Sequence, residues 1–421
     1  METIHGRITR MFFGILIVML SVNDTVLQVH VHHSDLLDLI SCVFMLVIWL
    51  SETKLSSWKK SHTYCLVWLA VALVVAWSLI VFVHSPNHYD AVKDIFSISL
   101  VFLVSLEVIP SIFSFSSFVD FFNKVLLIII TLAVLFGQYN HRRFLGYENL
   151  GISVTRFSGL FYHPNLAGLY AAMLGISALL LFAQRHRLRI FVSLAISVCI
   201  LYLTHDRTAQ ICFLFYAAGQ FAWTVYCRIK SKVLRWTLST EFIMALLILV
   251  LLAVDYLKTH TSFYELNYLL SGRLSIWNLV LSNMNDRLFG DGLFLPGQNQ
   301  IFDMQTTGYG IDGLYVDIIY QEGIIGLGVW LLLFFVLLVV AAFHRNKFKV
   351  YGVLFLLTAL VHSITETHFA IWMNVFTIFV LGTISFFVRY GNEWDKETEH
   401  WKIKRDDKTY GATKVDTAIS T

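Results

Sequence analysis

Three arginines have contexts that could do chemistry. Arg156 lies in Thr155-Arg156-Phe157-Ser158-Gly159-Leu160-Phe161-Tyr162-His163-Pro164-Asn165, Arg207 in Leu203-Thr204-His205-Asp206-Arg207-Thr208, and Arg273 in Ser271-Gly272-Arg273-Leu274-Ser275-Ile276-Trp277. A guanidinium offers a fixed planar fork of donors that matches phosphate and carboxylate oxygens. Three of them on one side of a membrane would suit a pyrophosphate at its surface. Taken singly, each could equally bind a lipid phosphate or pair with a nearby acid such as Asp206 or Asp286, and an exposed pair of that kind contributes little.

Other polar residues lie close to these arginines in the chain or in the expected topology. Asn165 is placed to cap the helix that follows it, with His163 two residues before. Trp277 stands one helical turn after Arg273. Asp312 comes where the chain returns to an apolar run, three residues before Tyr315. An acid there could accept a hydroxyl proton; it could also cap a helix or partner an arginine. Glu366 and His368 occupy a turn before the last apolar run, where they either complete a polar pocket or are simply solvated.

Several chemistries lack their signatures. There is no glycine-rich phosphate loop, H-E-x-x-H, nucleophile elbow or Cys/His metal spacing. No D-x-D pair occurs between Lys258 and Gln321, which argues against a metal-dependent sugar-nucleotide transferase. His30, His32 and His33 have no third ligand at a recognisable spacing and read as loop histidines. The five cysteines fall in or at the ends of apolar runs and read as small buried side chains. No metal, cofactor or nucleic acid is expected.

The elements that must position these residues are membrane helices. Of the 421 residues, 57% are hydrophobic and 14% charged, with mean hydropathy +0.68, against about 25% charged in soluble domains. Runs such as Val125–Phe136 do not alternate, which excludes a transmembrane β-barrel. The expected class is an all-α polytopic membrane protein. About twelve spans are expected: 8–22, 36–50, 64–83, 92–112, 119–137, 166–183, 188–204, 208–227, 239–257, 322–343, 349–366 and 370–389. Residues 1–389 form the membrane domain and 390–421 a polar cytoplasmic tail. A long, partly helical loop, 258–321, separates the ninth and tenth spans.

Lysines and arginines orient the spans. They gather at Arg7 and Arg10, at Lys54, Lys59 and Lys60, at Arg185–Arg189, at Arg228–Arg235, at Arg345–Lys349 and along the tail. With those segments inside, both termini are cytoplasmic. Arg156, Arg207, Arg273 and the 258–321 loop then share the outer face. Gly323, Gly326 and Gly328 open the tenth span and permit close helix contact. The span centres are almost free of charge, which argues against a transporter, whose pathway usually carries ionisable residues near the midplane. A non-catalytic subunit of an assembly complex remains a third reading.

Taken together, these stretches resemble the O-antigen ligase and polymerase superfamily. The resemblance rests on Arg156-Phe-Ser-Gly…His163-Pro-Asn-Leu-Ala-Gly168, then Asp206-Arg207-Thr208, then Gly272-Arg273-Leu-Ser-Ile-Trp277, then Tyr315…Gly323-Ile-Ile-Gly326, in that order over roughly residues 150–330. It implies a GT-C-like, metal-independent, inverting glycosyltransferase of the bacterial cytoplasmic membrane that draws on a polyprenyl-diphosphate-linked oligosaccharide. Arg156, Arg207 and Arg273 would hold the diphosphate and stabilise the leaving group. Membrane lipids, a flippase and a chain-length regulator are the partners it suggests. Ligases of this kind tend to carry a histidine in a His-x-x-Tyr-Leu stretch near the end of the loop. Here the matching stretch reads Asp312-Gly313-Leu314-Tyr315-Val316. The missing histidine favours a polymerase over a ligase and leaves Asp312 as the first choice of base.

Overall fold

The computed structural model describes residues 4–25, 34–52, 62–137, 139–142, 154–182, 188–231, 262–293, 311–344, 348–370 and 373–389, with scattered positions between 233 and 259. Most of the ninth expected span (239–257), residues 294–310 of the 258–321 loop and the 390–421 tail lie outside those residues, as do His30, His32 and His33.

The chain is an all-α membrane protein, with one small antiparallel strand pair among the described residues. Six of its described helices are long and apolar enough to cross a membrane, and three shorter apolar helices accompany them. The described elements in chain order are α1 (Ile4–Asn23), α2 (Ser34–Glu52), α3 (His62–Phe82), α4 (His88–Leu103), a π-helical turn (Val104–Val108) running into α5 (Ile109–Ile112), and α6 (Phe115–Leu135). Strands β1 (Tyr139–Arg142) and β2 (Val154–Phe157) follow, then α7 (Pro164–Phe182), α8 (Leu188–Thr204) and α9 (Arg207–Arg228). The described remainder holds α10 (Phe263–Leu269), α11 (Arg273–Ser282), α12 (Leu314–Phe343), α13 (Lys349–His362) and α14 (Val375–Arg389).

Helix α7 is the centre of the bundle. It is buried nearly all round, from Leu166 through Leu181, and packs against α6, α8 and α9. Outer helices instead leave apolar side chains uncovered on one face, among them Leu69 on α3, Ile128 on α6 and Leu214 on α9. That pattern fits helices with protein on one side and lipid on the other. The π-helical turn sits just ahead of Pro110, which has no N–H to give and whose ring crowds the preceding turn; the Ile109 amide reaches back to the Val104 carbonyl instead.

Three departures from the sequence reading matter for the site. First, the stretch around Arg156, between two expected spans, is β2, paired antiparallel with β1, Asn140 opposite Arg156. Second, α12 begins at Leu314 rather than 322 and is broken at Gly323 (φ 73°). The segment before the break bonds to a loop: Tyr320 and Gln321 carbonyls accept from the Asp291 and Gly292 amides, and the Ile324 amide donates to the Arg287 carbonyl at 3.0 Å. A side chain at Gly323 would overlap the Leu288 carbonyl, so glycine is what lets the loop into the helix. Third, α13 stops at His362 and α14 starts only at Val375, its first turn capped by Asn374, which accepts from the Thr377 amide at 2.8 Å. The freed connection holds Glu366 and His368.

Candidate functional site

Six chain segments meet at one end of the bundle: β2, the first turn of α7, the α8–α9 corner, the start of α11, the approach to α12 and the α13–α14 connection. The ends of the helices chosen by positive charge as facing outward are the ones gathered here.

Glu366 is the hub. It is 3% exposed. Its Oε1 takes an ion-paired hydrogen bond from Arg273 Nη2 and a hydrogen bond from Asn165 Nδ2 at 2.9 Å. Asn165 also accepts from Arg156 Nη2 at 2.7 Å, and Arg156 Nε donates to the Thr204 carbonyl at 2.6 Å. A continuous chain therefore runs from α8 through Arg156, Asn165 and Glu366 to Arg273. Burial drives the Glu366 carboxyl well above its ordinary pKa, Arg273 pulls it back, and Asp312 and Asp206 push it further up.

Arg273 is 7% exposed. Besides Glu366 it faces Asp312, whose Oδ2 lies 3.3 Å from Nε. That oxygen is out of line, and the buried Nε–H has no hydrogen-bond acceptor among the described residues. Burial lowers the guanidinium's pKa, but Glu366, Asp312 and Asp206 together more than offset it. Asp312 is thus the arginine partner that was one of its expected roles. Its side chain is 42% exposed, and desolvation by the surrounding protein raises its carboxyl against the pull of Arg273.

The backbone around Asp312 is held by Trp277, whose Nε1–H donates to the Asp312 carbonyl. The next residue, Gly313 (φ 109°), threads between the Trp277 ring and the Ile364 carbonyl; a Cβ there would stand 2.9 Å from that oxygen. The Leu314 amide then donates to the Ser363 carbonyl at 2.9 Å. The long loop is thereby fastened to the α13–α14 connection beside Glu366.

His368 Nε2 stands 3.8 Å from Glu366 Oε2. Burial, with help from Arg273, holds its imidazole down to about 4, so the ring is neutral at pH 7. His163 Nδ1 accepts from the Asn165 amide at 3.0 Å and steadies the first turn of α7. Asn165 sits inside that turn rather than at the cap, because Pro164 takes the first helical position, and its side chain is given to the site.

Two expected residues do not join the cluster. Arg207 is exposed in the first turn of α9; its neighbour Asp206 turns inward instead, capping the helix through Oδ1 to the Thr208 and Ala209 amides at 3.0 and 3.2 Å. Asp206 Oδ2 is buried without a partner among the described residues, and burial raises its carboxyl to about 6 against the cap bonds and both buried arginines. Tyr315 gives its hydroxyl to the Leu360 carbonyl at 2.8 Å, binding α12 to α13.

No protein-family model matches the chain, and no curated protein is similar to it.

The structure also brings in residues that spacing did not single out. Asp24, just past the C-terminal end of α1, accepts from the Tyr170 hydroxyl at 2.8 Å, and Tyr162 lies within charge reach of both Asp24 and Glu366. His362, 1% exposed, has neither ring nitrogen hydrogen-bonded among the described residues and stands 6.2 Å from the His368 ring. An acid at the end of the first apolar run was a legible signal; a histidine in an apolar helix was not. Among the described residues, no three His, Cys, Asp or Glu are disposed to hold a metal ion.

Proposed function

We propose that the chain is a surface-polysaccharide polymerase of the bacterial cytoplasmic membrane, serving O-antigen, capsule or exopolysaccharide. It would join repeat units carried on polyprenyl diphosphate at the outer face, without a metal, as a GT-C-like glycosyltransferase of about twelve spans with both termini in the cytoplasm. Its partners would be the lipid-linked oligosaccharide and membrane lipids, with a flippase upstream and a chain-length regulator alongside.

The observation that carries this reading is the buried Arg273, whose Nε–H lacks an in-line acceptor while its other end is fixed by Glu366. A guanidinium held rigid on one edge and unsatisfied on another is prepared for an oxygen-rich anion. Arg156, oriented through Asn165, supplies the second positive charge. Asp206, Asp312 and Glu366 outnumber the two arginines, so an incoming diphosphate needs at least one carboxyl protonated. Burial favours that at Glu366 and at Asp206.

In the reaction, an acceptor sugar hydroxyl attacks the anomeric carbon of a lipid-linked chain. The new C–O bond forms as the bond to the diphosphate breaks, and the electron pair leaves on the diphosphate oxygen. The guanidiniums stabilise that oxygen as charge develops on it, where they act more strongly than in water.

The test is a reaction of purified full-length protein with the lipid-diphosphate-linked repeat unit and no other acceptor, with and without chelator. Ladders of longer lipid-linked glycan that survive chelation support a metal-independent polymerase. Transfer only after a foreign acceptor is added would make it a ligase. Silence with both would move the reading to a transporter or an accessory subunit.

A further inference from the structure

Asp24 differs from every other acid near the cluster. Asp312 and Glu366 face Arg273, and Asp206 lies in the field of both buried arginines. Asp24 has no ion-pair partner among the described residues. Its Oδ2 accepts from Tyr170 on α7, and its other oxygen carries no hydrogen bond among the described residues. Asp38 on α2 adds a negative charge within electrostatic reach of it, and is itself held by Lys93 at 3.0 Å and by Asn23 Nδ2 at 3.0 Å.

Its position is fixed by the segment that builds the site. Thr25 bridges to Phe161, and the Asp24 carbonyl accepts from the Tyr162 amide at 3.5 Å. Three residues on, Asn165 bonds both Arg156 and Glu366. Tyr162 is exposed and feels the charges of Asp24 and Glu366 together. The acid and the arginine cluster thus flank one tyrosine at the same end of the bundle.

We propose that Asp24, not Asp312, is the group that takes the proton from the acceptor hydroxyl, with Tyr170 as its positioning residue. The inference rests on the polymerase reading. The division of labour is electrostatic. A carboxylate tied to Arg273 is a poor proton acceptor, and a base beside the arginines would compete with the leaving diphosphate for them. Asp24 stands outside that ion-pair network. The hydroxyl oxygen bonds to the anomeric carbon, its proton passes to the Asp24 carboxylate, and water then removes it; the leaving electron pair remains on the diphosphate. Burial raises the Asp24 carboxyl to about 7, with Tyr170 opposing and Asp38 adding, which lies near the operating range of a general base.

The experiment measures ladder formation against pH by the full chain in detergent, for the unaltered protein and for Asp24→Asn, Tyr170→Phe and Asp312→Asn. Donor binding is followed separately. Asp24→Asn keeps the shape and the Tyr170 bond, so it should bind lipid-linked donor as before and lose about 100-fold or more in rate. The unaltered rate should fall as pH drops below about 7. Tyr170→Phe removes a donor to the charged form and should move that limb upward by about one pH unit. Asp312→Asn should leave the limb where it is. A ladder that survives Asp24→Asn, a limb unmoved by Tyr170→Phe, or a limb abolished by Asp312→Asn overturns the assignment alone. No ladder from the unaltered chain removes the polymerase reading and takes this assignment with it.

Discussion

Asn165 and Glu366, 201 positions apart, are joined by a hydrogen bond of 2.9 Å from Nδ2 to Oε1. The same amide accepts from Arg156 at its other end. One neutral side chain therefore transmits the orientation of a guanidinium on a strand to a carboxylate on a distant loop.

Asn165→Ala should consequently loosen both ends at once. It leaves Arg156 Nη2 and one side of Glu366 without their partner in a buried setting, which costs about 1–3 kcal/mol. Asn165→Asp should also destabilise, because an acceptor would then face the Glu366 oxygen unless a proton lies between them. Thermal unfolding in detergent would reveal both effects. Unchanged melting of Asn165→Ala would mean the bridge is not formed in solution.

Arg273 and Glu366 form a buried ion pair, and removing one charge leaves the other stranded. Arg273→Ala should cost about 3–5 kcal/mol, and adding Glu366→Gln should return part of that loss. Arg273→Lys should also fail, since one ammonium on a flexible stem cannot serve Glu366 and Asp312 together. The measurement is a double-mutant cycle by denaturant unfolding. Strictly additive losses would show that the two side chains do not interact.

How much of this could be read from the sequence differs residue by residue. The membrane class followed from hydropathy, and charge placed Arg156, Arg273, Asp312 and Glu366 on one face, where the structure brings them together. Arg207 did not follow, because successive residues at a helix start point about 100° apart, and it is Asp206 that turns inward. The hairpin that carries Arg156 is four residues per strand, too short to give a period-2 signal in so apolar a chain. The early start of α12 was hidden because Asp317, Gln321 and Glu322 interrupt an otherwise apolar run, and its break at Gly323 depends on a loop more than thirty residues earlier. The partnership of Asn165 with Glu366 is a long-range contact that no spacing encodes.

Gly313 should be intolerant of a side chain. Its φ of 109° belongs to a region that L residues rarely adopt, and a Cβ would press on the Ile364 carbonyl at 2.9 Å and on Trp277 Nε1 at 3.1 Å. Gly313→Ala should cost about 1–3 kcal/mol and displace Asp312 from Arg273, lowering activity as well as stability. Gly328→Ala is the control: a Cβ there meets nothing within 4 Å, and the change should be neutral or mildly stabilising. Equal behaviour of the two variants would contradict the threading of Asp312–Leu314 beneath Trp277.

Asp206 gives the chain a pH dependence of definite sign. Its carboxyl is raised from 3.8 to about 6 in the folded protein, first by burial, with the cap bonds and the arginines opposing. The folded state therefore holds a proton that the unfolded chain has released between those values. The stabilisation is complete below about 3.8 and is lost as pH rises through about 6, an effect on the order of 2–3 kcal/mol for a shift of that size. Asp206→Asn keeps an oxygen for the Thr208 and Ala209 amides but cannot ionise. Melting temperature measured from pH 4 to pH 8 should thus fall less steeply for Asp206→Asn than for the unaltered chain, with the two curves converging at the acid end. The same proton bears on the site: a neutral Asp206 leaves Arg156 and Arg273 less compensated, so affinity for a diphosphate anion should rise as pH falls toward 6. If Asp206→Asn left both the melting profile and the pH dependence of donor binding unchanged, Asp206 would be ionised throughout, and the positive charge available to a diphosphate would have to come from protonation of Glu366 or Asp312 instead.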